Sequence, residues 1–373
     1  MATLWAISDL HVGHRGNEEI VGKIRPERSD DWLIVAGDVA ERTDDIVDTL
    51  RRLKLKFHTV IWVPGNHELY TTSRDPRQLF GVARYDYLVQ ACRDIGVITP
   101  EDIYPLFDPG NGDAPVRIVP MFLLYDYTFR PENTTTALSA LALARERNVV
   151  ATDEFLLSPE PFPTRDAWGR ARIEATRLRL EALDPNEKTV LINHWPLRRE
   201  PTDVLMYPEF ALWCGSELTD DWHTRFNAVC CVYGHLHIPR TTWYDGVKFD
   251  EVSVGYPREW KKRGLPEPLL RKIVPDEGIG PGDLSEFGER FDMPPEYAER
   301  TEEMARRYGP PPSFDDGWRF EIRDGATGYL KGTWKGKTWL IQTASRVAQQ
   351  AARYEGQISQ CDALKPQKFL GIF

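Results

Sequence analysis

Six of the chain's eight histidines stand in short polar motifs: His11 in Asp9-Leu10-His11, His14 just beyond it, His67 in Gly65-Asn66-His67-Glu68, His194 in Asn193-His194, and His235 and His237 in Gly234-His235-Leu236-His237. Asp38 follows Gly37 in a further motif. Imidazole, carboxylate and an amide oxygen together suit Mn, Fe, Zn or Co rather than Ca or Mg alone. Two such ions ~3.5–4 Å apart can clamp a phosphate and lower the pKa of a shared water, so that hydroxide exists near neutral pH. On an extended segment alternate side chains share a side, so Asp9 and His11 can reach one ion. Asp38 stands where an unhindered glycine lets a carboxylate reach between two ions. His235 and His237 repeat the alternation: one imidazole can face each ion, or one can serve a metal and the other a shared neighbour.

His67 follows Asn66 directly, so the two side chains diverge, and His67 faces the substrate. There it can stabilise charge on phosphate or protonate a leaving oxygen. Glu68 either orients His67, as carboxylates behind functional rings often do, or is a solvated surface acid. His14 can face the same cleft as a phosphate donor. Arg42 can touch phosphate, although a surface arginine at a helix start is the plainer reading. His58 and His223, outside the motifs, read as surface or satisfied core residues.

Positioning these groups needs a sheet. Short apolar runs at Thr3–Ile7, Trp32–Ala36, Val60–Val63, Thr189–Ile192 and Val229–Tyr233 each lead straight into one of the motifs. Runs rich in Val, Ile and Leu without alternation suit strands buried on both faces. Between them Arg165–Leu183 has apolar residues near helical spacing, and Pro185 stops it. Strands alternating with helices make a layered α/β sheet, whose ligand site lies at the carboxyl ends of the strands. Every motif falls at such an end. Met121–Pro163 interrupts the pattern with aromatics (Phe122, Tyr125, Tyr127, Phe129) that either wall a cleft or pack the core.

Taken in order, Asp9-Leu10-His11, Gly37-Asp38, Gly65-Asn66-His67-Glu68, Asn193-His194 and Gly234-His235-Leu236-His237 resemble the five signatures of the calcineurin-like metallophosphoesterases. The resemblance implies a four-layer α/β/β/α sandwich. It also implies Asp9, His11, Asp38 and His237 on one metal, Asp38, Asn66, His194 and His235 on the other, and His67 as the catalytic histidine. Purple acid phosphatases carry a Tyr ligand where this chain has Glu41, and protein Ser/Thr phosphatases continue their Gly-Asp motif differently. The Gly-His-x-His ending fits the phosphodiesterase-like branch. Segments through about residue 290, among them Trp32–Arg42, Val63–Tyr70, Pro120–Phe129 and Glu251–Trp260, are similar to the actinobacterial phosphopantetheinyl hydrolases. That likeness implies release of 4′-phosphopantetheine from a holo-acyl carrier protein, with Mn or Fe in the site and Zn as a further candidate.

The rest of the sequence bounds the reading. The chain has 373 residues, 41 % of them apolar, with 12 Trp, 14 Tyr and 16 Phe, which is ample for a large core. A net charge of −10 argues against nonspecific nucleic-acid binding, which depends on Lys and Arg meeting phosphate. The five cysteines include no CxxC pair, so neither a disulfide framework nor a structural zinc site is expected. No apolar stretch reaches ~18 residues, and the N-terminus lacks a signal pattern, so the expectation is a cytoplasmic protein away from membranes.

A catalytic domain is expected over residues 1–290, a charged helix at Pro295–Tyr308 with a stiff Pro310-Pro311-Pro312 linker over 291–316, and a small basic α+β module over 317–373. In that module nine Lys/Arg face four Asp/Glu, with strands at Trp318–Ile322, Tyr329–Trp334 and Lys337–Ile341 and a helix at Thr343–Tyr354. An acidic carrier would need a local positive surface; Arg198-Arg199, Lys261-Lys262-Arg263 and this module are the candidates. Two other functions stand beside carrier hydrolysis: a phosphoesterase on cyclic nucleotides or another small ester, and a non-catalytic scaffold on the same fold. A scaffold would have little need of seven ligands and His67 together. Composition and motifs leave the oligomeric state unread.

Overall fold

The structure is a computed structural model that describes residues 1–110, 112–131 and 133–275, together with the backbone of three strands beyond them. The strands are β1 (Leu4–Ile7), β2 (Trp32–Val35), β3 (Thr59–Trp62), β4 (Leu106–Phe107), β5 (Val116–Pro120), β6 (Thr189–Ile192), β7 (Ala228–Tyr233), β8 (Arg240–Tyr244), β9 (Val247–Glu251) and β10 (Arg271–Val274), then β11 (Arg319–Ile322), β12 (Thr327–Trp334) and β13 (Lys337–Ala344). The helices are α1 (Asn17–Lys23), α2 (Thr43–Lys54), α3 (Asn66–Leu69), α4 (Gly81–Asp94), α5 (Ala137–Glu146), α6 (Asp153–Leu156), α7 (Arg165–Glu181), α8 (Trp222–Arg225) and α9 (Pro257–Arg263).

Two sheets carry the first 275 residues. One runs β10-β1-β2-β3 and the other β4-β5-β6-β7-β9-β8. The pairs β1–β2, β2–β3, β5–β6, β6–β7 and β7–β9 are parallel, and the flanking strands β10, β4 and β8 pair antiparallel. Strand alternation then sorts the core into layers. Leu4 and Ala6, Ile34 and Ala36, and Ile61 and Val63 meet Ile118, Val190, Ile192, Cys230 and Val232 of the other sheet in one apolar cluster. The intervening residues Trp5, Ile7, Leu33, Val35, Val60 and Trp62 pack instead with Ile46, Leu50 and Leu53 of α2 and Leu88 and Cys92 of α4. Both faces are dry, which is why these strands read as unbroken apolar runs. Helix α7 supplies the cover at another face: Trp168 meets the Phe122 ring edge-on at 5.3 Å. The architecture is the expected α/β/β/α sandwich.

Phe122, Tyr125, Tyr127 and Phe129 are buried, so the aromatics of Met121–Pro163 pack the core. Cys92, Cys214, Cys230 and Cys231 are buried and in no disulfide. Among the described residues no helix is long and apolar enough to cross a membrane.

The chain divides into two compact units, Met1–Thr202 with Tyr207–Asp276, and Asp203–Met206 with Glu277–Phe373. In the second unit β11, β12 and β13 form an antiparallel sheet in which Trp334 pairs with Lys337. Strand β13 continues through Ala344, so residues 343 and 344 extend a strand where a helix from Thr343 was expected. The β-branched Thr343 continues a run, Thr338 to Ile341, that already favours a strand. The remainder of that helix, the helix at Pro295–Tyr308, the Pro-rich linker and the boundary at 290 lie outside the described residues.

Candidate metal centre

Strands β1, β2, β3, β6 and β7 each end in a motif, and their carboxyl ends bring the candidates together. Asp9 and His11 follow β1, Asp38 follows β2, Asn66 and His67 open α3 after β3, His194 follows β6, and His235 and His237 follow β7. The local backbone is unusual. Asp9, His11, Asp38, His235 and His237 all have positive φ, between 41° and 69°. A left-handed non-glycine residue costs energy and collects at functional sites, and Asp and His tolerate it better than branched residues. Five such residues around one spot turn side chains inward from loops that a regular strand end would splay.

Glycine makes the approach close enough. A Cβ on Gly65 would stand 2.1 Å from Asp38 Oδ1, and one on Gly37 would stand 2.6 Å from His194 Nδ1. Gly37 also holds φ at 88°. These glycines let the Asp38 carboxylate and the His194 ring lie directly on neighbouring backbone.

One cluster is Asp9, His11, Asp38 and His237, each offering an atom within 4.8 Å of every other. His237 Nε2 lies 3.0 Å from Asp9 Oδ1 and 3.1 Å from His11 Nε2. His237 Nδ1 faces Glu259 Oε2 at 2.8 Å, which places its proton on Nδ1 and leaves a lone pair on Nε2. The second cluster is Asn66, His194 and His235. Asn66 Oδ1 lies 3.2 Å from both His194 Nε2 and His235 Nδ1. His194 Nδ1 donates to Ala36 O at 2.9 Å, so its Nε2 also points a lone pair inward. Asp38 Oδ2 joins the two groups, 3.8 Å from His11 Nε2 and 3.4 Å from His194 Nε2. Acceptor atoms turned on one another in a buried place need a cation or protons between them. The donor set and its arrangement fit two transition-metal ions with Asp38 between them.

The charges agree with that crowding. Burial, then the neighbouring His194, pushes the His235 imidazole down to about 3, so it stays neutral and able to ligate. Burial would lower His67, but Asp38 and a hydrogen bond to Glu41 hold it above its ordinary value. The His67 ring sits between Glu41 Oε1, 3.3 Å from Nδ1, and the Tyr256 phenol, 3.1 Å from Nε2. Tyr256 also stacks on His11, with centroids 4.3 Å apart.

Glu68 has neither of the roles weighed for it. It is fully buried and accepts the backbone N–H groups of Asp38 (2.8 Å), Val39 (2.7 Å) and Gly65 (2.8 Å). Burial and the Asp38 carboxylate push it up to about 7. Neighbouring residues in a helical turn point about 100° apart, so Glu68 turns into the protein while His67 turns out, and the carboxylate that meets His67 comes from Glu41.

His14 is exposed beside Tyr256, 4.9 Å between ring centroids, at the rim of the cluster. Arg42 lies at the start of α2 with its guanidinium 3.9 Å from Asp45 and about half exposed, the surface placement. His58 is exposed, whereas His223 is buried with Nε2 2.9 Å from Asp245. Arg198 is engaged by Glu200, Asp220 and Asp245, and Arg199 donates to Arg130 O, so this pair serves the loop structure rather than an open basic face.

Five supporting residues were not singled out from sequence. Glu259 orients His237, and Tyr256 meets His67. Ser8 and Ser253 hydroxyls hold Asp9 Oδ2 at 2.5 and 2.7 Å. Asp153 holds the Asn66 amide. Only Glu259 had a local signal, since Tyr256-Pro257-Arg258-Glu259 has Pro at the first helical position and Glu at the third, a helix-start signature.

With the fold and this geometry in place, comparison defines the class. The calcineurin-like phosphoesterase family model matches residues 2–239, and the chain belongs to that family. A particular relative is the [acyl-carrier-protein] phosphodiesterase PptH of Mycobacterium tuberculosis, 60% identical over 305 residues that make up 82% of this chain and 93% of that one. The crystal structure of phosphopantetheinyl hydrolase (PptH) from the same organism superposes with a TM-score of 0.73 at 63% identity, covering 75% of this chain and 99% of that one. A transglycosylase SLT domain model matches residues 320–361, a minor part of the chain that takes in β12 and β13.

Proposed function

We propose that this chain is a dinuclear-metal phosphodiesterase that removes 4′-phosphopantetheine from a holo-acyl carrier protein. The observation that carries the chemistry is Asp38, whose Oδ2 lies between His11 and His194 and so joins the two ligand clusters. The substrate class is supported by the identity to PptH along nearly its whole length. In this reading Asp9, His11, Asp38 and His237 hold one ion and Asp38, Asn66, His194 and His235 the other, with Mn or Fe favoured and Zn a further candidate. When bound, the ions supply positive charge for the phosphate and acidify water enough for it to attack phosphorus.

The chain's own groups do the rest. Ser8, Ser253 and Glu259 hold Asp9 and His237 in place. His67, steadied by Glu41 at Nδ1, offers its Nε2 proton to the departing serine oxygen of the carrier. Water adds to phosphorus, the bond from phosphorus to the serine oxygen breaks, that oxygen takes up the His67 proton, and the proton that water gives up restores His67 through solvent. The products are free 4′-phosphopantetheine and apo carrier protein.

Docking of an acidic carrier falls to Lys261 and Lys262, which are exposed on α9. The same helix begins beside Tyr256 and carries Glu259, both at the site. Residues 317–373 form a separate basic module, and the setting is the cytoplasm. The test is mass spectrometry of Mn- or Fe-loaded protein incubated with holo carrier, cyclic nucleotides and aryl phosphodiesters. A carrier lighter by phosphopantetheine is expected; cleavage of the small esters alone would reject the carrier as substrate. Failure to retain any metal would favour the non-catalytic scaffold.

A further inference from the structure

An asparagine side chain has two nearly identical faces, an accepting oxygen and a donating NH2. A cation can use only the oxygen. Something beyond Asn66 itself must therefore choose which face turns toward His194 and His235.

We infer that Asp153 is the positioning residue that makes this choice. The carboxylate reaches Asn66 from the first position of α6, 87 residues away in sequence. Asn66 Nδ2 donates to Asp153 Oδ1 at 3.0 Å and to the Tyr70 phenol oxygen at 2.8 Å, so both amide hydrogens are engaged. Tyr70 in turn donates its hydroxyl proton to the same Asp153 oxygen. That second bond matters, because a phenol that has given its proton to Asp153 can only accept from Asn66. Without the carboxylate, the Tyr70 hydroxyl is released to donate to the amide oxygen, and the reversed amide becomes just as well satisfied. Asp153, Tyr70 and Asn66 are all buried, so water is a poor substitute for the lost acceptor. The carboxylate thus acts on a metal ligand by fixing its orientation, as acceptors behind ligating groups commonly do.

The inference rests on reading Asp38, Asn66, His194 and His235 as one metal site, and the experiment separates the two ideas. Metal-stripped full-length protein is titrated with Mn2+ by calorimetry as wild type, D153A, N66D and N66D/D153A. Wild type is expected to take up two ions. D153A should bind one of them ~10–100-fold more weakly, the usual effect of losing such a partner, and leave the other unchanged. N66D offers oxygen on both faces, so adding D153A to it should cause no further loss. If D153A does not fold, D153L, which keeps the volume without an acceptor, gives the same reading. Binding of both ions by the folded Asp153 variant as in wild type would overturn the inference, and so would an equal loss in the N66D background. Wild type that binds no ion at all would reject the metal site itself.

Discussion

Glu259 Oε2 lies 2.8 Å from His237 Nδ1, and the same oxygen accepts the backbone N–H of Tyr256 at 2.8 Å. One carboxylate thereby sets the tautomer of a candidate ligand and the start of α9. Glu259→Gln keeps the shape but offers an amide whose NH2 can face the ring, which weakens the preference for a proton on Nδ1. Affinity for one of the two ions is expected to fall ~10–100-fold. Competition against a metal chelator measures it, and unchanged retention of both ions would remove Glu259 from the site.

His67 contacts Glu41 and Tyr256 and lies 3.8 Å from Asp38 Oδ2. His67→Ala should keep both metals and slow turnover ~10²–10⁴-fold, the share of a general acid. The loss should be greatest for esters with alkoxide leaving groups and least for p-nitrophenyl esters, whose leaving oxygen hardly needs a proton. An alanine variant that loses metal instead would show that His67 is a ligand.

Glu68 is the acceptor for three buried backbone N–H groups across the two loops that carry Asp38 and Asn66. Glu68→Ala strands all three, and each unsatisfied buried group costs ~1–3 kcal/mol. A large drop in the urea midpoint is expected, with weaker metal uptake in whatever remains folded. A variant as stable as wild type would mean that water replaces the carboxylate.

Arg84 and Asp75 form a fully buried ion pair at 2.9 Å, and the same guanidinium donates to Glu68 O and Glu41 O. Arg84→Met leaves the buried Asp75 carboxylate without its counter-ion and should destabilise the protein by ~3–5 kcal/mol near neutral pH. Burial alone would raise Asp75, but the N–H groups of Thr43 and Arg77 and the Arg84 guanidinium hold it below its ordinary value. The folded pKa is thus the lower one. The stability it brings is complete above the unfolded carboxylate range near ~3.9 and is lost as pH falls through the folded value. Melting curves of both proteins from pH 7 to 3 should therefore converge on acidification; a gap that widens would contradict the sign.

The residues that lie on strand ends were legible because two independent periodicities coincide there: an apolar run that must be buried and a polar motif that has no reason to follow it. Thr189–Ile192 was placed to the residue, and His194 with it. The supporting groups were not legible. Glu41 takes the place beside His67 that adjacency in sequence suggests for Glu68, since the short helix α3 turns neighbouring side chains about 100° apart. Asp153 reaches Asn66 only through tertiary packing, and nothing within a few residues of either marks the pair. The aromatics of Met121–Pro163 looked equally suited to cleft and core, and burial decided for core.

The proposed two-ion site can be tested directly by anomalous diffraction from crystals of the Mn-loaded protein. Two peaks ~3.5–4 Å apart are expected, one among Asp9, His11, Asp38 and His237 and the other among Asp38, Asn66, His194 and His235. A single peak, or peaks that leave Asp38 outside both coordination shells, would contradict the proposed chemistry.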